Sequence, residues 1–270
     1  MNDFFINKYN LSSFIENDTQ NKLWIILKEI IKIFPIEQIA YIGLYGSQNY
    51  CIDTQESDID CECFIFPSMQ DIIFAKPMVS KTIKTTYGEC TIKDIRMMFN
   101  ELRKVSPNIL EIINTQYAIL NKDYETILKE IYLRSNLFAH LSEFKLLKGF
   151  EGLYHRYSKQ VINNNNNNNS KYYANTLRII EIINKILNNP KWEYNNLLIP
   201  DNIEYLYWIK TTSDFNKVFR KDYFNNICLE TELKLQEYYN NHELVFIPTI
   251  CEEINKIQNK IMKQYIKLNF

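Results

Sequence analysis

Two short stretches hold residues that could do chemistry together: Gly46-Ser47, and Ser57-Asp58-Ile59-Asp60, with Asp58 eleven positions after Ser47. In extended chain Asp58 and Asp60 point to one face, their Cα atoms roughly 6 to 7 Å apart. Aspartate is depleted in strands, and like charges side by side near a core repel unless something neutralises them. A divalent cation does so, and ligands that are all oxygen suit Mg²⁺ or Mn²⁺, which also bind triphosphate oxygens. Gly46-Ser47 after Leu44-Tyr45 makes a tight turn where backbone can approach a ligand closely. Were a helix to begin just after Ser47, its free N–H groups and the serine hydroxyl would favour phosphate. Each half alone is ordinary, since Gly-Ser pairs occur in many turns and an isolated Asp-x-Asp is often a solvated strand end. Joined at this spacing, they point to two-metal phosphoryl-transfer chemistry.

The elements that must position these residues are legible in outline. Asp18-Thr19 is a helix start, and Leu23, Ile26, Leu27, Ile30 and Ile31 recur at helical steps up to Pro35. Ile39 to Leu44, closed by Gly46, and Ile59 to Phe66, closed by Pro67, have strand length and β-prone residues. Met78 to Lys93, broken at Tyr87-Gly88, predicts a strand pair. Asp94 is placed to cap a helix over Ile95, Met98, Phe99 and Leu102, and Ser106-Pro107 breaks it before a second helix. Beyond Asn121 helical periodicity dominates, as in Leu137 to Val161, Lys171 to Leu187 and Ile250 to Leu268. The expected fold class is therefore α+β: a small mixed-sheet domain over residues 1–120 followed by a helical domain over 121–270. Seven asparagines, Asn163 to Asn169, predict a flexible surface loop within the helical part.

With 46% hydrophobic residues, the 270-residue chain has ample material for a core. A formal charge of -1 gives no global attraction to nucleic acid or to an anionic membrane, although a local basic patch stays open. The six cysteines contain no CxxC pair, and Cys61-x-Cys63 is too tight for a zinc knuckle, so they read as reduced thiols, mostly in the core. No stretch approaches the roughly 20 apolar residues of a membrane span, and the N-terminus lacks the pattern of a signal peptide. The expectation is a cytoplasmic protein with no membrane partner.

Leu44-Tyr45-Gly46-Ser47 and Ser57-Asp58-Ile59-Asp60, at this separation, resemble the motif of the DNA polymerase beta nucleotidyltransferase superfamily. The run Tyr45-Gly46-Ser47-Gln48-Asn49-Tyr50 through Asp53-Thr54 to Ser57-Asp58 is similar to an uncharacterised branch found in bacteria and bacteriophages. Lys93-Asp94-Ile95-Arg96 and Pro107-Asn108-Ile109-Leu110-Glu111 extend the resemblance. Cys51 departs from it, standing where such proteins usually carry glycine; a requirement for positive φ there would strain a cysteine. The resemblance implies transfer of a nucleoside monophosphate from an NTP to an acceptor hydroxyl with release of pyrophosphate. Asp58 and Asp60 would hold Mg²⁺ or Mn²⁺, and Gly46 and Ser47 would seat the phosphates.

The superfamily usually adds a third acid from a neighbouring strand. Glu89, just after Gly88, is the favoured candidate, with Asp94 the alternate; Asp94 is equally suited to cap the following helix. In the helical half, Lys171, Asn175 and Arg178 share a helix face. Related proteins carry a similar Lys, His, Arg arrangement there, so by resemblance Lys171 and Arg178 would grip the triphosphate, while a solvated polar stripe is the plainer reading. His155, Arg156 and Lys159 lie among Tyr154 and Tyr157, an arrangement that could stack a nucleotide or RNA but more often packs with polar tips outward. Lys210 and Arg220 are isolated positives with no assigned role. The acceptor stays open among an RNA end, a protein side chain and a small hydroxylated compound, and the oligomeric state is unread. Without a third acid the protein would instead be a catalytically inactive nucleotide-binding or partner-binding module on the same fold.

Overall fold

The structure, a computed structural model, describes residues 11–13, 15, 17–163 and 169–269. Contacts divide the chain into two compact units: residues 1–49, 57–141 and 247–270 form the first, and residues 50–56 and 142–246 the second. The fold is α+β, with the sheet in the N-terminal part and helices dominating the rest.

In the first unit, β1 (Leu11–Ser13) precedes α1 (Asp18–Ile30), whose cap is Asn17 rather than Asp18: the Asn17 side chain accepts from the Gln20 N–H at 2.9 Å. There follow β2 (Ile39–Tyr45), β3 (Asp60–Ile65), α2 (Met69–Ile73), β4 (Ser80–Lys84), β5 (Glu89–Asp94), α3 (Ile95–Arg103), α4 (Pro107–Asn114) and β6 (Ala118–Asn121). Then come α5 (Glu125–Leu133) and α6 (Ser135–Ala139). The sheet is mixed, ordered β1-β6-β2-β3-β5-β4, with β3 and β5 parallel and every other pair antiparallel. Alternation decides what each face meets. Ile42, Leu44, Cys61, Cys63, Cys90 and Ile92 face the core made with Leu23, Trp24, Leu27 and Ile30 of α1. Tyr41 and Phe64 point the other way, and the Tyr41 hydroxyl donates to the Ile112 carbonyl of α4 at 2.7 Å. Three cysteines thus sit in the core, half of the six rather than most of them, and all six are free thiols.

The second unit is built from α7 (Glu143–Asn163), α8 (Asn169–Asn188), α9 (Tyr194–Leu198), α10 (Ile203–Thr211), α11 (Phe215–Val218) and α12 (Lys221–Asn241). Its core includes Tyr173 of α8, ringed edge-on by Phe215, Phe219 and Phe224 with centroids 5.4 to 5.9 Å away. The start of α7 and the end of α12 are tied by Glu143, which accepts from the Trp192 indole at 2.9 Å and the Tyr238 hydroxyl at 2.8 Å. The loop expected over Asn163 to Asn169 falls mostly on residues 164–168, which lie outside the described residues; Asn163 closes α7 and Asn169 opens α8. Among the described residues no helix is long and apolar enough to cross a membrane.

The division differs from the expected one at residue 120. Helices α5 and α6 stay with the sheet, and α13 (Pro248–Asn269) returns to it. Tyr265 of α13 stacks on Phe66 at 4.2 Å, and its hydroxyl donates to the Pro67 carbonyl at 2.9 Å. Ile250, Ile254, Ile257 and Ile261 continue the same buried stripe at helical spacing. Replacing Tyr265 by Ala is therefore expected to destabilise the first unit by about 3–5 kcal/mol, as for other buried aromatic truncations. Urea unfolding followed at the sheet checks this, and an unchanged midpoint would separate α13 from that unit.

Candidate functional site

The expected acids gather at one end of the sheet because of two glycines. Gly46, immediately after β2, has φ +109°, which only glycine adopts without strain, and the chain turns there into a single 3-10 turn, Ser47–Tyr50, rather than the helix the sequence allowed for. Tyr45, the last residue of β2, pairs with Asp60, the first of β3. Gly88 precedes β5 and passes so near β3 that a Cβ there would lie 2.5 Å from the Ile59 carbonyl oxygen. This close approach lets the Ile59 N–H donate to Tyr87 at 2.7 Å, and the Glu89 N–H to Asp60 Oδ1 at 3.3 Å.

Ile59 is 2% exposed and belongs to the core, so Asp58 and Asp60 on either side of it turn outward. Asp58 and Glu89 are exposed and Asp60 is half-buried. Because β3 and β5 run parallel with Cys61 opposite Cys90, Glu89 stands beside Asp60 on the same sheet face. Asp94 occupies the other end of β5, about 16 Å along the strand from Glu89. There it is 2% exposed, caps α3 by accepting the Arg96 N–H at 2.8 Å, and takes a forked pair from the Arg96 guanidinium at 2.9 and 2.6 Å. Its two oxygens are committed to that cap and ion pair, at the strand end away from Asp58 and Asp60, whereas Glu89 lies beside Asp60.

The electrostatics of this sheet face are set by charges in succession. Tyr45 has its phenol pushed up by burial and by the nearby Asp60 and Glu62 carboxylates. Glu62, one step further into the sheet, is 6% exposed and takes Lys93 Nζ at 2.8 Å, which also reaches Glu101 at 3.0 Å. Burial opposes the charge on Lys93, but those two carboxylates outweigh it and hold the ammonium above its ordinary value. Glu62 is thus a structural acid. Asp58, Asp60 and Glu89 offer hard oxygen donors, which match Mg²⁺ or Mn²⁺ in kind. Among the described residues no three His, Cys, Asp or Glu side chains are close enough to enclose a metal by themselves. Mg²⁺ commonly takes only one or two carboxylates and completes its shell with phosphate oxygens and water, so the donor set is compatible with an ion that arrives with a nucleotide.

Three residues that hold the site carried no assigned role in the sequence reading. Glu111, 8% exposed, accepts the Gly46 N–H at 2.5 Å and the Asn49 amide at 3.2 Å. Asn49 also donates to the Leu44 carbonyl at 3.1 Å and accepts from the Thr115 hydroxyl at 2.7 Å. Gln48, 6% exposed, donates to the Asp58 carbonyl at 3.0 Å and so ties the turn directly to the Asp-x-Asp segment. Glu111 ends the Pro107 to Glu111 run noted above, and that run was its only signal.

Lys171 and Arg178 belong to the second unit, as does the stretch Tyr50–Glu56 that follows the turn. Lys171 is exposed, whereas Arg178 is 5% exposed with its guanidinium 3.5 Å from the Tyr50 ring centroid, so it is no solvated stripe. Cys51, next to Tyr50, does adopt the left-handed backbone, with φ 58°. Of the other cluster, Tyr154 is 1% exposed and donates to Glu232 at 3.2 Å, while Arg156 lies over the neighbouring Tyr157 ring at 4.9 Å, a packing arrangement with polar tips. The second unit also has an open groove of about 740 Å³ lined by Asn184, Lys185, Trp192, Tyr205 and Tyr223, to which none of the expected site residues contributes.

No protein-family model matches the chain, and no curated protein matches it.

Two substitutions test the local geometry in opposite directions. Glu111→Met removes the acceptor for Gly46 and Asn49 and is expected to lower stability by about 1–3 kcal/mol, the usual range for stranded buried donors. Cys51→Gly relieves a left-handed side-chain clash and is expected to raise stability by about 1 kcal/mol. Chemical-denaturation midpoints read both, and a midpoint moving the other way in either variant would contradict the corresponding account.

Proposed function

We propose that the protein is a metal-dependent nucleotidyltransferase, moving a nucleoside monophosphate from an NTP to an acceptor hydroxyl in the manner of the DNA polymerase beta superfamily. The observation that carries this reading is the convergence at one sheet end: Asp60 opens β3 opposite the end of β2, and Glu89 opens β5 beside it with its N–H 3.3 Å from Asp60 Oδ1. Asp58 precedes Asp60 by two residues, and the Gly46-Ser47 turn closes β2. Nothing in the core requires carboxylates there, and two of the three are exposed.

In this reading Asp58, Asp60 and Glu89 hold Mg²⁺ or Mn²⁺, which when bound lowers the pKa of the acceptor hydroxyl and neutralises charge on the phosphates. Ser47 and the backbone N–H groups of its turn seat phosphate oxygens. The acceptor oxygen attacks the α-phosphorus, its bond to phosphorus forms as the bond to the bridging β-phosphate oxygen breaks, and pyrophosphate leaves. The acceptor proton passes to a carboxylate of the set. RNA ends, protein side chains and small hydroxylated compounds all fit as acceptors, because the site defines the group transferred and not its recipient.

The second reading is a catalytically inactive nucleotide-binding or partner-binding module on the same fold, and the feature that separates the two is whether Glu89 joins Asp58 and Asp60 as a third acid.

Incubation of the protein with each α-labelled NTP and Mg²⁺ or Mn²⁺ in total cell extract separates the two. Labelling of one fraction by the wild type, reduced roughly 10²-fold or more in Asp58→Asn/Asp60→Asn with the fold intact, is the expected result. Full labelling by the double variant would end the assignment. Metal-dependent NTP binding with no pyrophosphate release in any extract would favour the binding module.

A further inference from the structure

The open groove of the second unit is walled by α8, the turn after it, α9, α10 and α12, and at about 740 Å³ it has the size of a small-molecule site. Tyr205 and Tyr223 line it while 41 and 54% exposed, and the Trp208 ring lies 5.9 Å from that of Tyr205. Leu177 and Ile227, both half-buried, add apolar surface. Ring faces left open in a concavity suit the apolar face of a ligand, with a gain beyond the area covered.

The charges of the groove disfavour an anion. Lys185 spends all three of its N–H bonds within the fold, on Glu181 at 2.7 Å, Asp201 at 2.8 Å and the Ile199 carbonyl at 2.9 Å. Lys234 of α12 is likewise spent, on Glu230 at 2.6 Å and Asn184 at 3.1 Å. Carboxylates outnumber cations in the lining, with Glu181, Glu193, Asp201 and Glu230 against Lys185 and Lys191. A phosphate group would meet net negative charge there, with only the exposed Lys191 to receive it.

The amides then distinguish a hydroxylated ligand from an amine. Asn189 and Asn202 accept the backbone N–H groups of Lys191 and Tyr205, each at 3.0 Å, which fixes both carboxamides and leaves their amino ends as oriented donors. An ammonium group only donates, so it has nothing to offer them. A hydroxyl can accept from an amide and donate to a carboxylate. Glu181 and Asp201 each give Lys185 one oxygen and keep the other as such an acceptor.

We propose that this groove binds a neutral polyhydroxylated compound of sugar type, its apolar face against Tyr205 and Tyr223 and its hydroxyls shared between the amides of Asn189 and Asn202 and the carboxylates of Glu181 and Asp201. The site belongs to the second unit alone and needs neither metal nor NTP, so it stands or falls apart from the transfer reading.

Saturation-transfer NMR and titration calorimetry of the full chain with methyl α-glucopyranoside, N-acetylglucosamine and myo-inositol test the site, with spermidine and inorganic phosphate as cationic and anionic comparisons. At least one of the three polyols is expected to bind with millimolar affinity, as its few polar and apolar contacts allow. Tyr205→Ala and Tyr223→Ala are each expected to weaken that binding roughly fivefold or more, the effect of losing a stacked ring. Tyr205→Phe keeps the ring and is expected to retain most of the affinity. Circular dichroism and melting temperature check that the alanine variants, both at exposed positions, stay folded. Failure of all three polyols to bind, or affinity unchanged in both alanine variants, would overturn the proposal. So would spermidine or phosphate binding that is tighter than any polyol's and is lost in the same alanine variants.

Discussion

The carboxylate of Glu111, buried where α4 meets the end of β2, receives the Gly46 N–H at 2.5 Å and the Asn49 amide at 3.2 Å, and the rest of the candidate site is arranged around that junction. A glycine at φ +109° is free to sample many conformations, so something must select one. Glu111 does so from the α4 side, Thr115 through Asn49 reinforces it, and Gln48 passes the constraint on to the Asp58 carbonyl. A buried carboxylate is itself tolerated only when its oxygens are satisfied. The turn and the acid therefore stabilise each other, and the position of Asp58 follows from both.

The same logic sorts the acids of the sheet. Glu62 is answered by Lys93, and Asp94 by Arg96 and the start of α3; each is buried, and each charge has its partner within the fold. Asp58 and Glu89 are exposed at a sheet end, on a face where Asp60 and Glu62 already raise the negative potential felt by Tyr45. Among the described residues Asp58 and Glu89 have no cationic partner, whereas the carboxylates inside the sheet are paired and help hold it together. Burial and partnership, more than spacing, distinguish Glu89 from Asp94.

The central elements were legible because their signals are local. β2, β3 and the β4–β5 pair follow from β-prone runs closed by glycine or proline, and α3 and α4 from Asp94 and Pro107 at their starts. β1 and β6 were missed. They are three and four residues long, and Ala118–Asn121 is buried throughout, which erases the alternation that would mark it as a strand. The expected boundary at residue 120 came from the fading of strand periodicity. What ends there is only the sheet's sequence signal, because α5, α6 and α13 are helices that pack on the sheet. Periodicity reports the shape of an element and says nothing of which core it joins. Lys210 illustrates the limit more sharply: a single lysine on a short helix has no pattern, and only the fold brings its Nζ to Ile52.

Cys51 shows how a strained residue can be held in place. A left-handed conformation at a cysteine costs about 1–2 kcal/mol and relaxes unless its neighbours are pinned. They are pinned: Tyr50 is 5% exposed with its ring against Arg178, and Ile52 is 1% exposed with its carbonyl bonded to Lys210. Both anchors are cations of the second unit, so the strained backbone at Cys51 is held on either side, by a ring contact at Tyr50 and by a hydrogen bond at Ile52. The turn before it is secured separately, by Glu111.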